Sequence, residues 1–155
     1  YEPFYVFTSK SHPLAKLKTV EEDELPSNDI WLLAEGHCMR NQVIKLCSVK
    51  NTSAVFKNVK FEGGSLETII QLIEQDHGYT LLPALAAEAL LRKHHPLLKE
   101  FKKGIPTREI SLVYQRSQYK QNILKALIKT VRGHLPKSVY LKRQPQMNVL
   151  QVKQT

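Results

Sequence analysis

The sequence predicts an α/β fold with a mainly parallel sheet. Short apolar runs bounded by turn residues alternate with amphipathic stretches along most of the chain, the pattern of strands connected through helices. The 155 residues, 42% hydrophobic and 24% charged, suit one ordinary globular domain with a real core. No apolar run approaches bilayer-spanning length, no secretory signal opens the chain, and there is no internal repeat or low-complexity block. The chain starts without methionine, almost directly in a strand, as expected of a piece cut from a longer protein.

Phe4-Tyr5-Val6-Phe7-Thr8 is rich in β-branched and aromatic residues and reads as the first strand. A short acidic turn of helix at 20–25 is stopped by Pro26. Ile30-Trp31-Leu32-Leu33-Ala34 is a continuous apolar run, as in a strand buried on both faces. Gly36 breaks it, and a helix follows from about 39 to 49, with Val43, Ile44 and Leu46 as its apolar positions. Phe56, Val59 and Phe61 mark a second strand region before Gly63-Gly64.

Ser65 caps a helix to about residue 76, whose Leu66, Ile69, Ile70 and Ile73 keep helical spacing; His77-Gly78 ends it. Tyr79-Thr80-Leu81-Leu82 is a brief buried strand, and Pro83 suits the first turn of a helix running to about 91. Residues 108–115 alternate into a strand through Ile110, Leu112 and Tyr114. Residues 119–131 form an amphipathic helix with Ile123, Leu124, Leu127, Ile128 and Val131 on one side, ended by Gly133 and Pro136. Beyond about Gln144 the chain is polar and aperiodic, and reads as a mobile tail.

The formal charge of +9 invites a nucleic-acid reading. The basic residues are spread from Lys10 to Lys153, however, and no aromatics interleave with their few clusters, unlike single-strand binders. Solvated lysines account for the charge better.

Both cysteines lie in one run, and Cys47 follows Cys38 by nine positions. Two cysteines are too few for a disulfide-built secreted scaffold, so a reducing, cytoplasmic compartment is expected. His37 precedes Cys38 and Arg40 follows two residues later; nearby cations and a helix N-terminus favour the reactive thiolate. In a helix, nine steps separate two residues by roughly 13 Å along the axis and about half a turn around it. A disulfide needs Cα atoms within roughly 7 Å. The pair can bond only if the helix unwinds, which makes it a switch rather than a staple. Read singly, the residues have plainer accounts: Cys38 and Cys47 as buried core residues, Arg40 and Arg108 as surface charges, His37 as a loop cap. A metal site from His37, Cys38, Cys47, His94 and His95 is disfavoured. Cysteines nine apart on one helix cannot both face one ion, and no CxxC spacing exists.

Gly36-His37-Cys38-Met39-Arg40-Asn41-Gln42, with Cys47 at plus nine, resembles the redox segment of the OxyR family of bacterial peroxide sensors, a branch of the LysR-type transcriptional regulators. Ser11-His12-Pro13, Ser65-Leu66-Glu67-Thr68, Gly78-Tyr79-Thr80-Leu81-Leu82-Pro83-Ala84-Leu85-Ala86 and Arg108-Glu109-Ile110-Ser111-Leu112-Val113-Tyr114 agree in order. The likeness covers roughly residues 1–135. The segment from Gly78 is common to many LysR-type domains, whereas the cysteine motif is specific.

The resemblance implies a periplasmic-binding-protein-like effector domain of two lobes. Residues 1–108 would be the second lobe, 109–143 the return into the first, and 144–155 a mobile tail. The winged helix-turn-helix, linker helix and first half of lobe one would then be absent, and the helix at 119–131 would lack part of its packing surface. DNA would be bound only through that absent N-terminal domain. Hydrogen peroxide would oxidise Cys38 to a sulfenic acid, and Cys47 would resolve it to a disulfide. Gly36, His37, Arg40, Asn41, Gln42 and Arg108 would surround the thiolate and peroxide. The refolded segment would alter a homodimer or tetramer, and a thiol reductant would reset it. No cofactor, metal or membrane is implied, and the chain is not expected to be an enzyme. Asn41 departs from the family, which carries an aspartate there, and peroxide-contacting hydroxyls of the first lobe are missing. The competing readings are a LysR-type domain sensing a metabolite in the inter-lobe cleft and a thiol peroxidase.

Overall fold

The computed structural model describes residues 1–26, 29–34, 38–48, 62–75, 78–115 and 120–150. Strand β1 (Glu2–Thr8) is its axis, with Phe4, Val6 and Phe7 at most 1% exposed. Along one edge β1 pairs antiparallel with β5 (Tyr79–Pro83). Along the other it pairs antiparallel with β6 (Leu98–Phe101) and then β7 (Ile105–Arg108). β2 (Thr19–Val20) lies parallel beside β6, and β8 (Met147–Val149) parallel beside β7. β3 (Leu32–Leu33) and β4 (Glu62–Gly63) make a separate parallel pair.

The sheet is therefore mixed, which corrects the expected mainly parallel one. The unit β5–α3–β6, with α3 spanning Ala84–Arg92, is a parallel crossover of the kind that alternation signals. β1 is inserted between its two strands in the opposite sense. Alternation along the chain carries no information about such an insertion.

Each remaining helix has a local cause. In α2 (Leu66–Gln75) the Ser65 hydroxyl accepts the Thr68 amide at 3.2 Å, while Ile69 and Ile73 are fully buried. α3 follows directly on Pro83, whose φ of −68° suits the flank of a helix, and buries the small Ala84 and Ala87 against the sheet. Gly78 has φ +98°, and a Cβ there would sit 2.2 Å from the Asp29 carbonyl oxygen. Only glycine lets β5 start this close to the chain carrying Trp31, where Trp31 and Tyr79 share a backbone hydrogen bond of 2.8 Å.

Three local expectations change. Val20 joins β2, and the acidic turn shrinks to a 3-10 turn at Glu22–Glu24. The strands β6 and β7, rich in charge or proline, lie before the expected strand at 108–115. Only Arg108 of that stretch is in a strand. Beyond it Ile110, Leu112, Val113 and Tyr114 are exposed, with no strand beside them among the described residues; alternation without a partner makes no sheet. The tail is not wholly mobile, because residues 147–149 pair with the free edge of β7 and Met147 is buried there. α4 (Gln121–Gly133) forms as expected but buries no residue, and Ile123, Leu127 and Val131 face solvent. The strand region at Phe56, Val59 and Phe61, and residues 151–155, lie outside the described residues.

Candidate functional site

Helix α1 (Cys38–Ser48) begins at Cys38 and holds Cys47 in its last turn. Its anchors are Met39, Val43 and Leu46, at 6%, 2% and 4% exposure. Their spacing of four and then three puts them on one face, which joins the core containing Leu25, Leu32 and Leu33. Nine steps of unbroken helix hold the two cysteines roughly 13 Å apart along the axis. While α1 is intact, a Cys38–Cys47 disulfide is geometrically excluded.

Arg40 is not a free surface charge. Its Nη1 donates to the Leu33 carbonyl at 3.0 Å, tying the first turn of α1 to the end of β3. Asn41 is exposed and Gln42 half-buried. The Gln42 Oε1 atom is buried and accepts no hydrogen bond among the described residues. Gly36 and His37 lie outside the described residues.

Arg108 sits at the end of β7, in register with Glu2 at the head of β1. Its Nε donates to Glu2 Oε2 at 2.6 Å, and the Leu85 amide, in the first turn of α3, donates to Glu2 Oε1 at 2.8 Å. Glu2 is wholly buried, and the Arg108 side chain is 22% exposed. A carboxylate taken out of water needs this full complement of donors. Among the described residues no hydrogen bond or ion pair links Arg108 to α1. Cys38, Arg40, Asn41 and Gln42 thus lie together at the start of α1, while the described partner of Arg108 is Glu2 at the head of β1. Glu2 escaped the sequence reading; its one signal was an acidic residue heading an otherwise apolar strand.

Elsewhere, a cleft of about 320 Å³ is lined by Tyr5, His94, His95 and Glu100 among others. Burial, reinforced by the Glu100 carboxylate, pushes the Tyr5 phenol up to about 12. Among the described residues no three His, Cys, Asp or Glu side chains could hold a metal ion. No described helix is long and apolar enough to cross a membrane.

Residues 1–136 match the model of the LysR substrate-binding domain. The chain belongs to that family. This LysR domain is 30% identical over 141 residues to the DNA-binding transcriptional dual regulator OxyR of Escherichia coli K12, covering 88% of the chain and 45% of that protein. It is 28% identical to the hydrogen peroxide-inducible genes activator of Pectobacterium carotovorum, covering 86% and 43%. The chain thus spans about half the length of the curated relatives it matches. Reduced OxyR from Porphyromonas gingivalis superposes with a TM-score of 0.77 at 27% identity, covering 96% of this chain and 66% of that one. Reduced OxyR from N. meningitidis gives 0.67 at 30%, covering 84% and 61%. These are regulatory domains of the periplasmic-binding-protein-like fold, so the expected architecture stands with its sheet corrected to a mixed one. The relatives are transcription regulators, not enzymes.

Proposed function

We propose that this LysR domain is the peroxide-sensing part of a transcription regulator. The observation that carries the reading is that the only two cysteines of the chain occupy the two ends of one core-anchored helix. The first turn of a helix favours the thiolate at Cys38. That thiolate attacks one oxygen of hydrogen peroxide; the S–O bond forms, the O–O bond breaks, and the departing hydroxide takes a proton to become water. The Cys47 thiolate then attacks the sulfenic sulfur. The S–S bond forms, the S–O bond breaks, and a second water leaves. A dithiol reductant restores both thiols. His37 and Arg108 are assigned to the peroxide and thiolate surroundings together with Gly36, Arg40, Asn41 and Gln42.

Closing the disulfide requires Met39, Val43 and Leu46 to leave the core in whole or part. Each such side chain is worth roughly 1.5–3 kcal/mol buried, so the disulfide is strained and readily reduced, as a reversible sensor needs. Residues 1–108 are assigned to the second lobe and 109–143 to the first. The refolded segment changes a homodimer or tetramer contact, with α2 and the loop before it as the candidate surface. DNA is contacted by a winged helix-turn-helix outside residues 1–155, in the reducing cytoplasm.

The test is a peroxide titration of the full-length protein, read by thiol counting and peptide mass mapping. About one equivalent of peroxide should be consumed and a Cys38–Cys47 link recovered. Cys47→Ser should trap a sulfenic acid at Cys38. A Cys38 that stays reduced under excess peroxide sinks the reading, and sustained turnover with a dithiol would mark a thiol peroxidase instead.

A further inference from the structure

The matched family segment ends at residue 136, yet the chain continues in an ordered course. Past α4 it turns at Pro136, where the Val139 amide meets the Pro136 carbonyl at 3.1 Å. The Ser138 hydroxyl then donates to Glu88 Oε2 of α3 at 2.7 Å. Tyr140 and Tyr1 exchange two main-chain hydrogen bonds, of 2.9 and 2.7 Å. The Gln146 carbonyl accepts from the Ile105 amide at 2.8 Å, β8 pairs with β7, and the Leu150 amide closes on the Thr107 carbonyl at 2.9 Å. Met147 is buried at 4% exposure, and the Asn148 side chain reaches Glu22 at 3.1 Å. Residues 138–150 are thus fastened at six places by side chain and main chain together, to α3, to Tyr1 just before β1, to β7 and to Glu22.

α4 has the opposite character. It buries no residue and contributes none to the core, so it belongs to a different packing unit from β1, β5 and α3. Only four residues, and so five Cα–Cα steps, separate the end of α4 at Gly133 from the first fastening at Ser138. Five extended steps span at most about 17 Å, and the turn at Pro136 shortens that reach.

We propose that residues 134–150 are a strap that limits how far the lobe carrying α4 swings away from the lobe built on β1. The inference rests on the two-lobe reading above. Its consequence is that this protein is not built to signal by opening the cleft between its lobes. The Glu88 carboxyl, held below its usual range by the Ser138 hydroxyl and by Arg92, stays charged and keeps the first fastening in place at neutral pH.

The test uses the full-length protein with ketone-bearing amino acids encoded at the exposed positions Lys93 and Lys129, which carry spin labels without touching the native cysteines. With the strap intact, pulsed dipolar spectroscopy should give one narrow distance distribution before and after peroxide. Ending the chain after Lys137 should broaden the distribution and add longer distances. Met147→Asp, which unfastens β8 alone, should broaden it less. An unchanged narrow distribution in both variants overturns the strap. Hydrogen exchange on the same proteins checks the premise separately: α4 and β5 should differ in protection. If they exchange as one unit, the two-lobe reading itself has failed.

Discussion

Val43→Ala isolates the link between packing and redox poise. Val43 is 2% exposed on the buried face of α1. Removing its two methyl groups forfeits roughly 0.8 kcal/mol each, plus a cavity term, for a loss of about 2 kcal/mol from the dithiol form. On the proposed mechanism α1 is no longer intact in the disulfide form, so the same substitution should be nearly neutral there. The difference falls on the redox couple. Destabilising the dithiol favours the disulfide, and about 2 kcal/mol corresponds to a potential more negative by about 40 mV for two electrons. Urea unfolding of the reduced protein measures the first quantity, and equilibration in dithiol buffers with thiol trapping measures the second. A reduced form weakened by about 2 kcal/mol with an unmoved potential would falsify the claim that α1 gives up its packing on oxidation.

Three further outcomes follow from the geometry. Glu2→Ala strips Arg108 and the Leu85 amide of their acceptor; breaking a buried pair costs about 3 kcal/mol, the low end because Arg108 keeps 22% exposure, and a loss under 1 kcal/mol in urea unfolding would show the pair idle. Gly78→Ala drives a Cβ to 2.2 Å from a backbone oxygen at φ +98°, so it should cost about 3 kcal/mol or more, with Gly78→Asn milder than alanine if the backbone angle dominates over the clash. The raised Tyr5 phenol keeps its proton in the folded state after the unfolded chain has lost it, so stability should fall as pH rises from 10 toward 12; Tyr5→Phe should flatten that segment of the pH profile, measured by chemical denaturation.

The helix carrying both cysteines was legible in the sequence because its logic is one-dimensional. Helical spacing put Val43 and Leu46 on one face, and the nine-residue interval fixed the cysteines apart before any tertiary contact was known. Likewise Ser65 announced its cap and Gly78 its turn. What failed was long-range. Nothing local says that β1 enters between β5 and β6 in reverse, since its pairs with Thr80 and Lys99 join residues far apart in the chain. Glu2 looked incidental until Arg108 and Leu85 arrived beside it. β8 is polar and only three residues long, and it exists because β7 offers an edge. The strand expected at 108–115 went wrong for the converse reason, having alternation but no neighbour.

The uncovered face of α4 and the apolar residues just after β7 also govern how this polypeptide behaves in solution. Val113 is 89% exposed, Ile123 63% and Ile110 61%, and together with Leu127 and Val131 they offer an apolar surface that water wets poorly. Against that adhesion stands a net charge of +9, which makes like molecules repel. The balance is set by ionic strength. At 0.01 M salt the repulsion reaches about 30 Å, whereas at 1 M it reaches about 3 Å, shorter than the side chains themselves. Residues 1–155 on their own should therefore stay dispersed in dilute buffer and self-associate as salt is added. Such salt-driven association should run through α4 rather than through the α2 surface proposed above.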